Sequence, residues 1–197
     1  MVQDHLKLPP LPVADWSATL EHVIADMQGR PLNVHALMAN HPELLQAWWP
    51  FRNHAVGGGS LGRRLGELVI LRVAGHLQSW YEWGSHVERA LACGLTLAEV
   101  ERIRQGAQAP GWAAEEALLL KAVDELIAGH AISETTLADL YQHYSARQVL
   151  DLIAIQGMYV LLGCMINTWG LPLDDHVQEK LPAAVTREAF EAGLSQV

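Results

Sequence analysis

Helical signals fill most of this chain, and they constrain its fold more than any other feature. Thr96-Leu-Ala-Glu99 has the pattern of a capping box at a helix start, shortly after Gly94, a residue typical of helix ends. Similar helix-start and helix-end signals divide the rest of the chain into segments, and the apolar residues of these segments have the spacing of one helix face. The period-two alternation that is typical of strands is absent. The sequence therefore predicts an all-α bundle.

Length and composition predict a globular protein with a sizeable core. The chain has 197 residues, of which 50% are hydrophobic and 18% are charged. Pro9, Pro10 and Pro12 predict an extended arm over the first 13 residues, because proline fixes the backbone and removes a hydrogen-bond donor. We therefore expect an N-terminal arm and helix over residues 1–30 and a helical domain over residues 31–197.

Charge and hydropathy exclude two classes of partner. The formal net charge is −9 and no block of basic residues exists, which argues against binding to nucleic acid. The longest apolar stretch, residues 149–169, is interrupted by Asp151, Gln156 and Asn167, so we expect no membrane span. The N-terminus lacks the basic and apolar regions of a signal peptide. We expect a soluble cytoplasmic protein that acts on a small molecule.

The cysteines predict no redox pair. Cys93 and Cys164 lie 71 residues apart, and no Cys-x-x-Cys motif exists. Two buried, reduced thiols are the simplest interpretation.

The stretch from residue 67 to residue 86 carries the candidate chemistry. Glu67 lies in an apolar helical pattern, Arg72 follows five residues later, and a second helix begins at Ser79. Ser79, Glu82 and His86 have the spacing of one helical stripe, and a carboxyl and an imidazole that share a face can exchange protons. If the break before Ser79 forms a helical hairpin, Glu67 can approach the other two groups.

This stretch resembles the core of the carboxymuconolactone decarboxylase and AhpD-like alkylhydroperoxidase family. The peroxidase branch has a glutamate, eleven residues, Cys-x-x-Cys, three residues and a histidine. The glutamate falls here on Glu67 and the histidine on His86, while Ser79 and Glu82 occupy the cysteine positions. The resemblance covers roughly residues 30–176. It implies an AhpD-like helical bundle, a homo-oligomer (trimer or hexamer) and chemistry without a metal or organic cofactor.

Seven residues are the candidate site. The catalytic candidates are Glu67, Glu82 and His86, and the substrate-binding candidates are Ser79, Arg72, Trp83 and Tyr81.

Several of the candidates also have a structural interpretation. Ser79-Trp-Tyr-Glu82 matches a capping box, Glu67 could pair with Arg63 on the surface, and Arg72 could be neutralised by an acid such as Asp151. Glu82 and His86 could also be two ligands of a metal, although no signature names the others.

Three functions remain open at this point. The first is a decarboxylase-like enzyme that uses Glu82 and His86 as acid and base on a small carboxylate or carbonyl substrate of the lactone type. The second is an AhpD-like peroxidase, which the loss of both expected thiols argues against. The third is a non-catalytic helical binding protein. The proline-rich arm and the aromatic pair Trp48 and Trp49 are candidates for an oligomer interface.

Overall fold

The computed structural model describes residues 7–193, and over this range it is helical without strands, with 69% of the residues in helices. The all-α prediction is therefore confirmed. The α-helices are α1 (Glu21–Asp26), α2 (Asn33–Met38), α3 (Pro42–Ala55), α4 (Arg63–His76), α5 (Trp80–Ala92), α6 (Leu97–Gln105), α7 (Ala114–Gly129), α8 (Glu134–Leu140), α9 (Ala146–Trp169), α10 (Asp175–Gln178) and α11 (Arg187–Ala192). Short 3-10 turns precede α1 and α4.

Helix α4 forms the centre of the fold. It packs against α5, α6, α7 and α9, and its apolar residues are buried on nearly all sides. Leu68, Val69 and Val73 have no exposed surface. A helix that is enclosed in this way holds any polar side chain it carries inside the protein, and Glu67 is one of them.

Helices α4 and α5 form the predicted hairpin. Gln78 has a φ of 54°, in the left-handed region, where it reverses the chain direction. The Ser79 amide donates to the Ala74 carbonyl at 2.9 Å, and the Ser79 hydroxyl accepts from the Glu82 amide as the N-cap of α5. The turn places the middle of α4 beside the middle of α5.

The N-terminal arm packs on its own chain over the residues described. The Leu11 amide donates to the Ala36 carbonyl at 2.9 Å, and Trp16 Nε1 donates to the Leu11 carbonyl at 2.9 Å. The first six residues of the predicted arm lie outside the described part. Trp48 and Trp49 are buried inside the same fold, so the prediction that they form a subunit interface is wrong.

Pro50 and Ser60, on either side of the glycines at positions 57–59, do not mark the end of α3 or the start of α4. Pro50 does not end α3, which continues to Ala55. Ser60 does not cap α4, because its hydroxyl and its amide both donate to Asp151 Oδ2 at 2.6 Å. His54 Nε2 contacts the other oxygen of Asp151 at 2.6 Å. Asp151 therefore joins α9 to the segment before α4 instead of pairing with Arg72.

Helix α9 is long and apolar enough to cross a membrane by length and composition alone. Half of its most apolar window is buried against the rest of the protein, and the core helix of a soluble protein passes the same test.

Candidate active site

A buried histidine–carboxylate pair joins α4 to α5. His86 Nδ1 lies 2.7 Å from Glu67 Oε2, and both residues are buried. Because a carboxylate oxygen can only accept, the imidazole donates from Nδ1, which leaves a lone pair on Nε2. Nε2 makes no hydrogen bond within residues 7–193. The Tyr159 ring meets the imidazole edge to face at 4.9 Å. Glu67 is thus not the surface partner of Arg63.

The environment keeps His86 neutral. Burial lowers the pKa of its imidazole, and the nearby Glu67 carboxylate opposes this effect without cancelling it. At neutral pH the ring is therefore an unprotonated base held in one orientation by Glu67.

Glu82 is a buried carboxyl group without a partner. Only 2% of the residue is exposed, and neither carboxyl oxygen has a hydrogen bond of good geometry within the described chain. Burial raises the pKa of Glu82 from 4.5 to about 8, although the neighbouring Ser79 hydroxyl opposes the shift. At pH 7 Glu82 is mainly a neutral carboxylic acid, the form that can donate a proton.

The capping-box interpretation of Ser79 and Glu82 is half correct. Ser79 caps α5, but Glu82 does not return a hydrogen bond to the Ser79 amide, because the Ala74 carbonyl already accepts from that amide. Gly163 on α9 provides the room for the Glu82 carboxyl. A Cβ atom at position 163 would lie 2.6 Å from Glu82 Oε2, so the close approach of α9 requires glycine there.

Glu82 and His86 line one small cavity between α2, α3, α5 and α9. Its volume is about 40 Å³, enough for a few water molecules. Arg52, Val56 and Arg89 line it too, and they also line an adjoining cavity of about 290 Å³ that reaches Glu67 and Cys93. The two spaces together suit a small organic molecule whose one end contacts Glu82.

All the buried side-chain polar atoms that lack a partner in the described chain belong to this cavity. They are both oxygens of Glu82, Nε1 of Trp48 and Oγ of Ser85. Buried polar groups in folded proteins are nearly always hydrogen-bonded, so a cluster of exceptions around one cavity indicates a place prepared for a ligand.

Of the candidates Tyr81, Trp83 and Ser79, only Tyr81 lines the cavity. Tyr81 lines the cavity, but its hydroxyl donates to Asp174 Oδ2 at 2.6 Å and accepts from the Val34 amide at 3.2 Å, so it braces α5 against neighbouring segments. Trp83 does not line the cavity and packs on Phe190 at 5.2 Å. Ser79 is buried as the N-cap residue of α5 and does not line the cavity either.

Arg72 lies apart from the other candidates. Its Nε donates to Asp124 Oδ1 at 2.5 Å, and Nη1 donates to the carbonyls of Ile103 and Arg104 at 2.9 Å. Every one of these partners is structural, and Arg72 does not line the cavity.

The two cysteines are free thiols, and neither lines the cavity that holds Glu82. The Cys93 thiol donates to the Ala90 carbonyl at 3.2 Å, and burial together with the Glu67 charge raises its pKa. Cys164 is exposed rather than buried, which corrects the sequence prediction.

Several cavity residues were not predicted from the sequence. Ser85 and Arg89 continue the helical stripe of Glu82 and His86, at three and seven residues from Glu82, so this spacing could have identified them. Tyr159 on α9 and Arg52 on α3 come from distant segments, and no local pattern marks them.

Comparisons with known proteins agree with this architecture. Residues 42–125 match the model of the carboxymuconolactone decarboxylase family. No curated protein matches the chain in sequence.

Solved structures share the AhpD-like helical fold. The AhpD core of a peroxidase-related protein from Ralstonia eutropha JMP134 has 18% identity and a TM-score of 0.74, covering 86% of this chain and 94% of that one. A peroxidase-related protein from Silicibacter sp. TM1040 has 15% identity and a TM-score of 0.74, covering 90% and 96%. The debrominase Bmp8 in complex with 2,3,4-tribromopyrrole has 16% identity and a TM-score of 0.71, covering 96% of both chains.

Proposed function

We propose that this chain is a cofactor-independent acid–base enzyme of the lyase type that decarboxylates a small lactone-type acid. The observation that carries the proposal is Glu82, a buried carboxylic acid without a partner that shares a cavity with the unprotonated His86. An acid with a raised pKa beside a base with a lowered pKa is the arrangement that general acid–base catalysis needs.

His86, Glu67 and Glu82 each have a separate role in the proposed reaction. His86 Nε2 accepts the proton of the substrate carboxyl group, while Glu67 holds the ring and stabilises the imidazolium that forms. The bond between the carboxylate and the neighbouring carbon breaks, carbon dioxide leaves, and the electron pair stays on that carbon, delocalised into the lactone carbonyl. Glu82 donates its proton to the carbon. The proton on His86 then returns through solvent to Glu82, which restores both groups.

Thiol-dependent peroxide reduction is the competing function, suggested by the peroxidase-related names of two structural neighbours. It needs a thiolate at the site. The positions that carry cysteine in the resembling peroxidases hold Ser79 and Glu82, and Cys93 has a raised pKa. These features favour proton transfer over thiol chemistry.

The test compares Glu82→Gln and His86→Gln with wild type on a panel of small unsaturated lactone acids, with release of carbon dioxide as the readout. Each substitution should lower turnover about 10²–10⁴-fold, the usual contribution of a general acid or base. Glu101→Gln, on the exposed surface of α6, is the matched control and should have no effect. Turnover of Glu82→Gln within about threefold of wild type, far below that contribution, would contradict the proposal. Peroxide consumption abolished by Cys93→Ser would favour the competing function.

We also propose that the chain forms a homo-oligomer, a trimer or hexamer. Leu150, Ile153 and Leu161 on α9 are exposed apolar residues that could contribute to the contact. Sedimentation equilibrium at micromolar concentration is the test, and a monomer would contradict it.

A further inference from the structure

Two arginines at the cavity have no ion pair with an acid within residues 7–193, in contrast with Arg64 and Arg72. Arg64 pairs with Glu99 at 2.5 Å, and Arg72 pairs with Asp124 at 2.5 Å. Arg52 instead donates to Asn53 Oδ1 at 2.9 Å and lies over the Trp49 ring at 4.8 Å. The guanidinium group of Arg89 makes no hydrogen bond or ion pair within residues 7–193. Both are only half-buried, but both line the cavity that holds Glu82.

The two guanidinium groups also affect each other. Burial lowers the pKa of Arg52, and the charge of Arg89 is the next largest cause of the shift. Two like charges at the edge of a low-dielectric cavity repel, and an anion between them would relieve that repulsion.

Two neutral hydrogen-bond donors line the same cavity as the arginines. The indole N–H of Trp48 can only donate, and it has no acceptor in the described chain. The Ser85 hydroxyl also lacks a partner among the described residues. Glu82 is the only acid among the described residues that line the small cavity, and in its neutral form it does not repel an anion. Glu67 lines the adjoining cavity, where its carboxylate accepts from His86.

We propose that Arg52 and Arg89, helped by Trp48 Nε1 and Ser85 Oγ, bind a carboxylate of the substrate. The substrate class, but not the anion site itself, rests on the proposed function. The two arginines line both the small cavity and the adjoining larger one, so a carboxylate between them places the rest of the molecule within reach of Glu82 and His86.

The bound carboxylate is not the one that leaves as carbon dioxide. Two guanidinium groups stabilise a carboxylate in the ground state and would oppose the loss of its charge. The leaving carboxyl group lies instead on the side of Glu82 and His86. The substrate therefore carries two acidic groups.

The test is calorimetric binding of tetrahydro-5-oxofuran-2-carboxylate at pH 7, a saturated lactone acid that cannot delocalise a carbanion into its carbonyl. Its neutral amide is the matched ligand. Arg89→Gln should weaken binding of the acid about 10–100-fold, as expected for losing a charge-assisted hydrogen bond. Arg89→Lys should weaken it less, because it keeps the charge but not the bidentate fork. Arg147→Gln, an exposed arginine on α9, is the control with the same change of net charge.

The outcomes separate this inference from the proposed function. Arg89-dependent binding of the acid, with weak binding of the amide that does not depend on Arg89, supports the anion site even if no variant of the chain turns over a lactone acid. Equal binding of the acid by wild type and Arg89→Gln would overturn the site, even if Glu82→Gln abolishes decarboxylation. Arg52→Gln serves as a second variant, and its melting temperature must be checked because Arg52 also stacks on Trp49.

Discussion

Asp151 and Glu82 are two buried carboxyl groups in one fold, and their surroundings give them opposite properties. Both residues are at least nine-tenths buried. Asp151 accepts from the Ser60 amide, the Ser60 hydroxyl and His54, and these bonds lower its pKa to about 2 even though burial opposes the shift. Glu82 accepts nothing of comparable quality, and burial raises its pKa to about 8.

The difference shows that hydrogen bonding, rather than burial, decides whether a buried acid is structural or reactive here. Asp151 is ionised and joins α9 to the segment before α4, so its lone pairs are used by the protein. Glu82 is neutral and its oxygens are available to a ligand. The same reasoning applies to Arg72, whose guanidinium group pairs with Asp124, and to Arg89, whose guanidinium group has no ion pair within residues 7–193.

The largest expected loss of stability is at Asp151, the buried acid whose oxygens are hydrogen-bonded. Asp151→Ala would leave the Ser60 amide and hydroxyl without their acceptor and should lower the free energy of unfolding by about 3–4 kcal/mol. Urea unfolding at pH 7 measures the change. A loss below about 1 kcal/mol would show that water replaces these bonds freely and would break the contrast with Glu82.

The Glu82→Gln substitution should raise the free energy of unfolding at alkaline pH, whereas Asp151→Ala should lower it. The folded wild type holds the Glu82 proton up to pH about 8, whereas the unfolded chain releases it near 4.5, so the free energy of unfolding falls as pH rises between these values. Glutamine cannot ionise. At pH 8 the variant should therefore be more stable than wild type by about 4 kcal/mol, and this advantage should disappear below pH 4.5.

The control for this comparison is Glu101→Gln, which should change stability by less than about 0.5 kcal/mol at either pH. A Glu82→Gln variant that is no more stable than wild type at pH 8 would contradict the raised pKa.

Gly163→Ala should have a smaller effect on the free energy of unfolding. The new Cβ would lie 2.5 Å from Leu77 and 2.6 Å from Glu82 Oε2, and the resulting strain should cost about 1–2 kcal/mol. Gly157→Ala, on the same helix with nothing within 4 Å of its Cβ, is the matched control and should be neutral or slightly stabilising. Thermal unfolding of the two variants measures the difference, and equal melting temperatures would show that α9 does not hold Glu82 in place.

Much of the fold could be predicted because its signals are local. Thr96 and Glu99 form the expected capping box, and Ser145 caps α9 as its sequence position suggests. The approach of Glu67 to His86 was predicted from the helical hairpin, and the two side chains do meet.

The rest of the site depends on contacts that no short pattern encodes. Ser79-x-x-Glu82 reads as a complete capping box, and only the position of the Ala74 carbonyl shows that Glu82 is excluded from it. Tyr159 and Arg52 reach the cavity from other helices, so their roles follow from packing rather than from spacing. Arg72 was predicted at the site because a charge in an apolar pattern needs a partner, but that partner is Asp124.

The most direct test of this account is the titration of Glu82 itself. The carbonyl stretch of a protonated carboxylic acid can be followed by infrared difference spectroscopy, with Glu82→Gln as the reference that removes this one band. We predict that the band is present at pH 7 and is lost with a midpoint near pH 8, the pKa that burial gives Glu82. Absence of the band at pH 6 would show that Glu82 is ionised in the folded protein and would contradict its role as the proton donor.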